Sequence, residues 1–134
     1  MKLILFLDER GGMLFNRRRQ SQDRVAREYI LKRTAGSRLL MNPYSAKQFG
    51  EGAPVTVTES PQKEAGTADY ALVENLPVKL TGVDEVILIL WNCLYPSDVR
   101  FDKGSLAPLG FSLAESEEFA GYSHEKITVE TYRR

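Results

Sequence analysis

The chain has 134 residues, 43% hydrophobic and 27% charged, and its 18 lysines and arginines balance 18 acids at a pI near 6.6. That length fits one domain (1–134) with a real core and is too short for two of ordinary size, while the charge balance argues against a dedicated nucleic-acid binder. The single cysteine, Cys93, excludes an internal disulfide and a cysteine-built zinc site, fits a reducing cytosol, and lies in an apolar run that marks it as a packed, inert thiol.

The neutral total hides a separation of charge. Residues 10–38 carry nine Lys/Arg against two acids, and residues 39–132 carry six against fourteen. A cationic mouth of this kind attracts phosphate or carboxylate groups.

In chain order, the apolar run at 2–7 is bounded by Asp8-Glu9-Arg10 and Gly11-Gly12, which predicts a buried first strand and a turn. Five apolar residues are too few for a signal-peptide core or a membrane span, so a cytoplasmic location without membrane contact is expected. Ser21 is placed to cap a helix from Gln22 to Thr34, with Asp23 in its first turn, Val25, Tyr29 and Ile30 on its buried face, and Asp23/Arg27, Arg24/Glu28 and Glu28/Lys32 as exposed pairs. Gly36 should end it. A strand follows at 38–41, and Asn42-Pro43 supplies the N-cap and first residue of a short helix through Phe49.

Val55 and Val57 alternate with threonines and predict a strand at 54–58. Residues 62–67 read as a polar loop and 70–74 as another strand. The continuous apolar run at 86–91 has the length of a strand covered on both faces. Turn residues punctuate 95–110, and Ile127, Val129 and Thr131 alternate in a last strand. The order predicts a single-domain α/β sandwich around a mixed central sheet.

Several segments resemble dihydrofolate reductase: the first strand ending at Asp8 with its glycine turn, Thr34-Ala35-Gly36-Ser37-Arg38-Leu39-Leu40-Met41, Asp84-Glu85-Val86-Ile87, Asp98 with Phe101, and the closing 123–134 stretch. The resemblance covers about half the chain and implies a related fold. It does not imply the family's usual NADPH site, because the family's glycine pair after the central strand is replaced by Val73-Glu74-Asn75, its basic residue and threonine by Pro43-Tyr44-Ser45, and the adenosine-side segment is shortened. Its pterin-binding carboxylate has candidates in Asp23 and Glu28, neither in register with Thr34. A closer likeness, at 16–24, 41–49, 73–75, 95–98 and 123–128, is to a small family of uncharacterised bacterial proteins sometimes labelled ribonuclease Z. That enzyme needs a histidine-rich two-zinc site, which one histidine and one cysteine cannot supply.

The candidate site residues are Asn16, Arg18, Arg19, Ser21, Asp23, Asn42, Tyr44, Glu74, Asn75 and Trp91. Arg17, Arg18 and Arg19 with Ser21 and the helix amides would form an anion site, or would pair with acids of the 39–132 half. Asn42, Tyr44, Glu74, Asn75, Trp91 and Asn92 fall near C-terminal strand ends, where open α/β sheets hold ligands. Tyr44 and Trp91 would flank a planar moiety, and Asp23 or Glu74 would orient a polar edge. His124 reads as a hydrogen-bonded, inert residue at a strand entrance whose carboxylate partner must come from elsewhere, with Glu74, Asp98 and Asp102 available. Nothing in the spacing of these carboxylates indicates a metal.

The expected function is binding of a small anionic, nucleotide-like ligand in a cleft of a dihydrofolate-reductase-like fold. The alternatives are an RNA- or protein-binding module using the arginine face, and a small oxidoreductase with a rebuilt nucleotide pocket. The residues name no cofactor, no oligomeric state and no catalytic step.

Overall fold

Alternation along the first strand sets the layering. In the computed structural model, which describes residues 1–75 and 77–134, β1 (Lys2–Leu7) sends Leu3, Leu5 and Leu7 to one core and Ile4 and Phe6 to the other. The chain then runs through β2 (Gly12–Phe15), β3 (Arg18–Arg19), α1 (Arg24–Arg33), β4 (Leu39–Met41), α2 (Pro43–Ala46), β5 (Thr56–Val57), α3 (Pro61–Glu64) and β6 (Tyr70–Leu72). It closes with β7 (Glu85–Leu90), β8 (Val99–Arg100), β9 (Ser112–Phe119) and β10 (Ile127–Arg133).

Seven strands form one mixed sheet in the order β5-β4-β6-β1-β7-β10-β9, and a small sheet pairs β3-β2-β8. The first five of the large sheet are parallel, and β10 runs antiparallel to both of its neighbours, β7 and β9. The runs expected at 2–7, 38–41, 86–90 and 127–131 all lie in this sheet. Val86, Ile87, Leu88 and Ile89 have no exposed surface, which places β7 in the centre and accounts for its unbroken apolar sequence. Each such side chain stabilises the fold by roughly 1.5–3 kcal/mol. One face of the sheet packs on Ala26 and Ile30 of α1, the other on Met13, Leu14, Phe101, Leu106 and Phe111.

Four expectations need correction. Helix α1 starts at Arg24, and its N-cap is Asp23, whose Oδ1 accepts from the amides of Val25 (2.9 Å) and Ala26 (3.3 Å). Ser21 lies outside the helix because a carboxylate two residues on already satisfies those donors. The buried face is Ala26 and Ile30, with Val25 and Tyr29 half-buried, and of the three expected pairs on this helix Arg24 to Glu28 is close, at 3.9 Å. Part of the expected polar loop at 62–67 belongs to α3, which opens on a proline.

Strand β9 had no counterpart among the expected elements. It is an edge strand, exposed along almost its whole length, so neither face imposes an apolar alternation on SLAESEEF. The expected cap Asn42, by contrast, is in place: its Oδ1 accepts from the Ser45 amide at 2.8 Å and Pro43 opens α2.

Candidate functional site

The arginine segment folds into a hairpin. Leu14 pairs with Arg19 and Phe15 with Arg18, leaving Asn16 and Arg17 as a two-residue loop with φ of 51° and 63°. Both values belong to a type I′ turn, which suits the strand twist but favours asparagine and then glycine. Arg17 occupies the glycine position, at a conformational cost of about 1–2 kcal/mol for a side chain in the left-handed region. The Asn16 amide donates to Asp98 Oδ2 at 3.0 Å and anchors the turn.

Arg18 and Arg19, neighbours on β3, point into different surroundings. Arg19 donates from Nε and Nη2 to the two oxygens of Glu74, each at 3.1 Å, and its guanidinium lies 4.3 Å above the Tyr44 ring centre. Tyr44 also accepts the Arg19 amide on its hydroxyl at 2.8 Å and Nη2 on its carbonyl at 3.0 Å. Glu74, buried just beyond the end of β6, takes further bonds from Ser45 Oγ (2.7 Å) and Gln48 Nε2 (3.3 Å). This is a fully partnered forked ion pair. Arg18 is exposed and has no ion pair among the described residues.

A second polar array lies beneath the start of α1. Asp23 has no exposed side-chain surface and its Oδ2 sits 2.8 Å from His124 Nδ1, with the Ser123 amide at 2.8 Å and the Tyr122 amide donating to Oδ1 at 3.0 Å. Burial pushes the Asp23 carboxyl up, but the bonds from His124 and from the amides of Tyr122, Ser123 and Ala26 outweigh it and hold the group well below the usual carboxylate range. The carboxylate assigns a proton to Nδ1, and in its neutral form the ring turns the Nε2 lone pair to Ser21 Oγ at 3.0 Å and Tyr95 hydroxyl at 3.1 Å. Trp91 stacks on the ring at 4.6 Å and fixes its plane. Gly121 makes this closure possible: a Cβ there would fall 2.8 Å from Asp23 Oδ2 and 2.9 Å from the His124 carbonyl.

Two clefts open beside these arrays. One, of about 340 Å³, is lined by Phe15, Asn16, Arg18, Arg19, Gln20, Tyr95 and Pro96 and contains no carboxylate. The other, of about 380 Å³, meets Arg17, Asn42, Tyr44, Glu74, Asn75 and Asp98. A larger concavity of about 650 Å³ at the ends of β1 and β7 mixes Asp8, Glu9 and Asp102 with Arg10, Arg100 and Lys103, so its charges offset one another.

The expected site residues therefore separate into groups. Asn16, Arg18 and Arg19 share the first cleft, and Asn42, Tyr44, Glu74 and Asn75 the second. Ser21 and Asp23 belong to the histidine array. Trp91 is 2% exposed, sandwiched between Phe6 (5.1 Å) and His124, and has no face to offer a ligand. At the start of α1 the Val25 and Ala26 amides are taken by the Asp23 carboxylate and are not offered to an anion. Of the carboxylates considered for His124, none is its partner, and the described residues contain no cluster of three or more metal-ligating side chains.

Tyr95 and Gln20 were not singled out from the sequence, and Asp23 was not matched with His124. The only signal was indirect: the five segments at 16–24, 41–49, 73–75, 95–98 and 123–128 meet in space. Arg19 of the first joins Tyr44 and Ser45 of the second and Glu74 of the third, while Ser21 and Asp23 join Tyr95 of the fourth and His124 of the fifth.

No protein-family model matches the chain, and no curated protein matches it. Among solved structures, dihydrofolate reductase from Enterococcus faecalis, complexed with NADP(H) and RAB-propyl, is similar with a TM-score of 0.67 at 13% identity, over 99% of this chain and 95% of that one. Among the described residues no helix is long and apolar enough to cross a membrane. The chain has a dihydrofolate-reductase-like fold.

Proposed function

We propose that the protein binds a small molecule bearing a phosphate or carboxylate in the cleft between the β2–β3 hairpin and the Tyr95-Pro96 turn. The observation that carries this reading is the exposed Arg18 in a cleft without carboxylates, beside an Arg19 whose own charge is matched by Glu74. An anion entering there meets one uncompensated guanidinium, which favours a bidentate contact. Phe15, Tyr95 and Pro96 supply apolar surface for a planar moiety, in the role the sequence had suggested for Tyr44 and Trp91. Gln20 donates to Asp8 Oδ2 (2.8 Å) and the Pro96 carbonyl (3.2 Å), and its Oε1 is buried with no partner among the described residues.

Arg17, held in a left-handed conformation one residue from Arg18, adds cationic charge beside the neighbouring cleft. Calorimetry with adenosine monophosphate, adenosine and inorganic phosphate tests the proposal. Binding of the monophosphate and phosphate, weakening as salt rises, is expected, with adenosine alone much weaker. If a single-stranded oligoribonucleotide binds far more tightly than the mononucleotide, with a steep logarithmic salt slope, the arginine face is an RNA surface instead.

A further inference from the structure

The serine beside His124 has a geometry that ligand binding alone does not require. We propose that Ser21, His124 and Asp23 form a nucleophilic triad that cleaves a small carboxylic ester, with Tyr95 as the donor to the developing oxyanion. The distances are those of a working relay: Ser21 Oγ to His124 Nε2 is 3.0 Å and His124 Nδ1 to Asp23 Oδ2 is 2.8 Å. Asp23 is fully buried, kept ionised by backbone amides, and orients the imidazole as the carboxylate does in serine hydrolases of unrelated folds. Trp91 holds the ring from one side.

The Tyr95 contact gives the array a further capacity. Neutral imidazole has one lone pair at Nε2, yet two hydroxyls lie within 3.1 Å of it. When Ser21 donates to that lone pair, the Tyr95 proton is available elsewhere, and Tyr95 lines the cleft of Phe15 and Pro96. The Tyr95 contact brings the 95–98 turn to a ring that Ser21 already ties to the 16–24 segment.

Ser21 Oγ forms a bond to the ester carbonyl carbon and passes its proton to His124 Nε2, while Tyr95 donates to the carbonyl oxygen as it becomes negative. Collapse breaks the bond to the leaving alkoxide, which takes the Nε2 proton and departs as alcohol. Water then attacks the acyl carbon, gives a proton to Nε2, and the acid leaves as that proton returns to Ser21 Oγ. No oxidant or reductant is involved.

A fluorophosphonate probe, followed by intact mass and peptide mapping, tests it. The expected result is one adduct on Ser21 with loss of fluoride, absent in Ser21→Ala and slowed about 100-fold in Tyr95→Phe, both variants first shown by urea melt to be folded. Phosphate binding should survive in the folded Ser21→Ala protein, so loss of labelling is distinguishable from loss of anion binding. A folded protein that stays unlabelled at millimolar probe, or an adduct that persists in Ser21→Ala, overturns the proposal and leaves Ser21 as a structural partner of the ring.

Discussion

Asp23 joins three tasks in one side chain: it caps α1, bonds the 121–123 loop, and orients His124. Asp23→Asn keeps an N-cap, since asparagine serves there as well as aspartate, but turns an amide donor toward groups that donate. It should cost about 3 kcal/mol in a urea melt near neutral pH, the loss expected for a broken buried pair. The acid limb carries a second signature. Because folding lowers the Asp23 pKa from its ordinary 3.8, its stabilisation is intact above that value and is lost as pH falls below it through the depressed folded value. The gap between wild type and Asp23→Asn should therefore be constant above about pH 5 and narrow on acidification. A gap independent of pH would mean that the charge contributes nothing. The cap and the acid were visible in the sequence, but the partner was not: His124 lies 101 residues away, and no spacing rule links a helix start to a strand entrance at that distance.

At the scale of elements, legibility followed burial. Strands β1, β4, β7 and β10 announced themselves because their side chains are sealed into one or both cores, and burial writes apolar runs into the sequence. Strand β9 was invisible for the converse reason. Its acids also have work to do at an unpaired edge: Glu115 takes Arg133 at 3.0 Å, Glu118 lies 3.5 Å from Lys126, and the strand still exposes half of Leu113. Replacing Glu117 and Glu118 by valine should leave the melting midpoint within about 1 kcal/mol while producing concentration-dependent light scattering, because the charges that prevent edge-to-edge pairing are gone. A variant that stays monodisperse at high concentration would show that another feature protects the edge. The β2–β3 hairpin escaped notice because its turn places arginine where glycine is the usual signal.

Across the whole molecule, the separation of charge seen in the sequence resolves into two populations. Arg19, Arg33 and Arg38 are matched to Glu74, Glu85 and Asp69, whereas Arg18 remains facing solvent at the cleft. The fold likeness extends over nearly all of both chains and speaks to the fold alone. Glu74, pinned to Arg19 beyond the end of β6, puts a carboxylate where the reductase resemblance calls for glycine amides, and NADPH should bind no more tightly than micromolar, about −8 kcal/mol, in calorimetry. Tighter binding would reveal a different phosphate cradle.

If Arg18 serves a ligand and Arg19 the fold, single alanine variants of the two will separate in parallel urea melts and phosphate titrations. Arg18→Ala should keep the wild-type midpoint within about 0.5 kcal/mol and lose phosphate binding, while Arg19→Ala should lose about 3 kcal/mol by leaving Glu74 buried without its partner. Phosphate binding that survives in Arg18→Ala, or an Arg19→Ala protein as stable as the wild type, would contradict this division of roles.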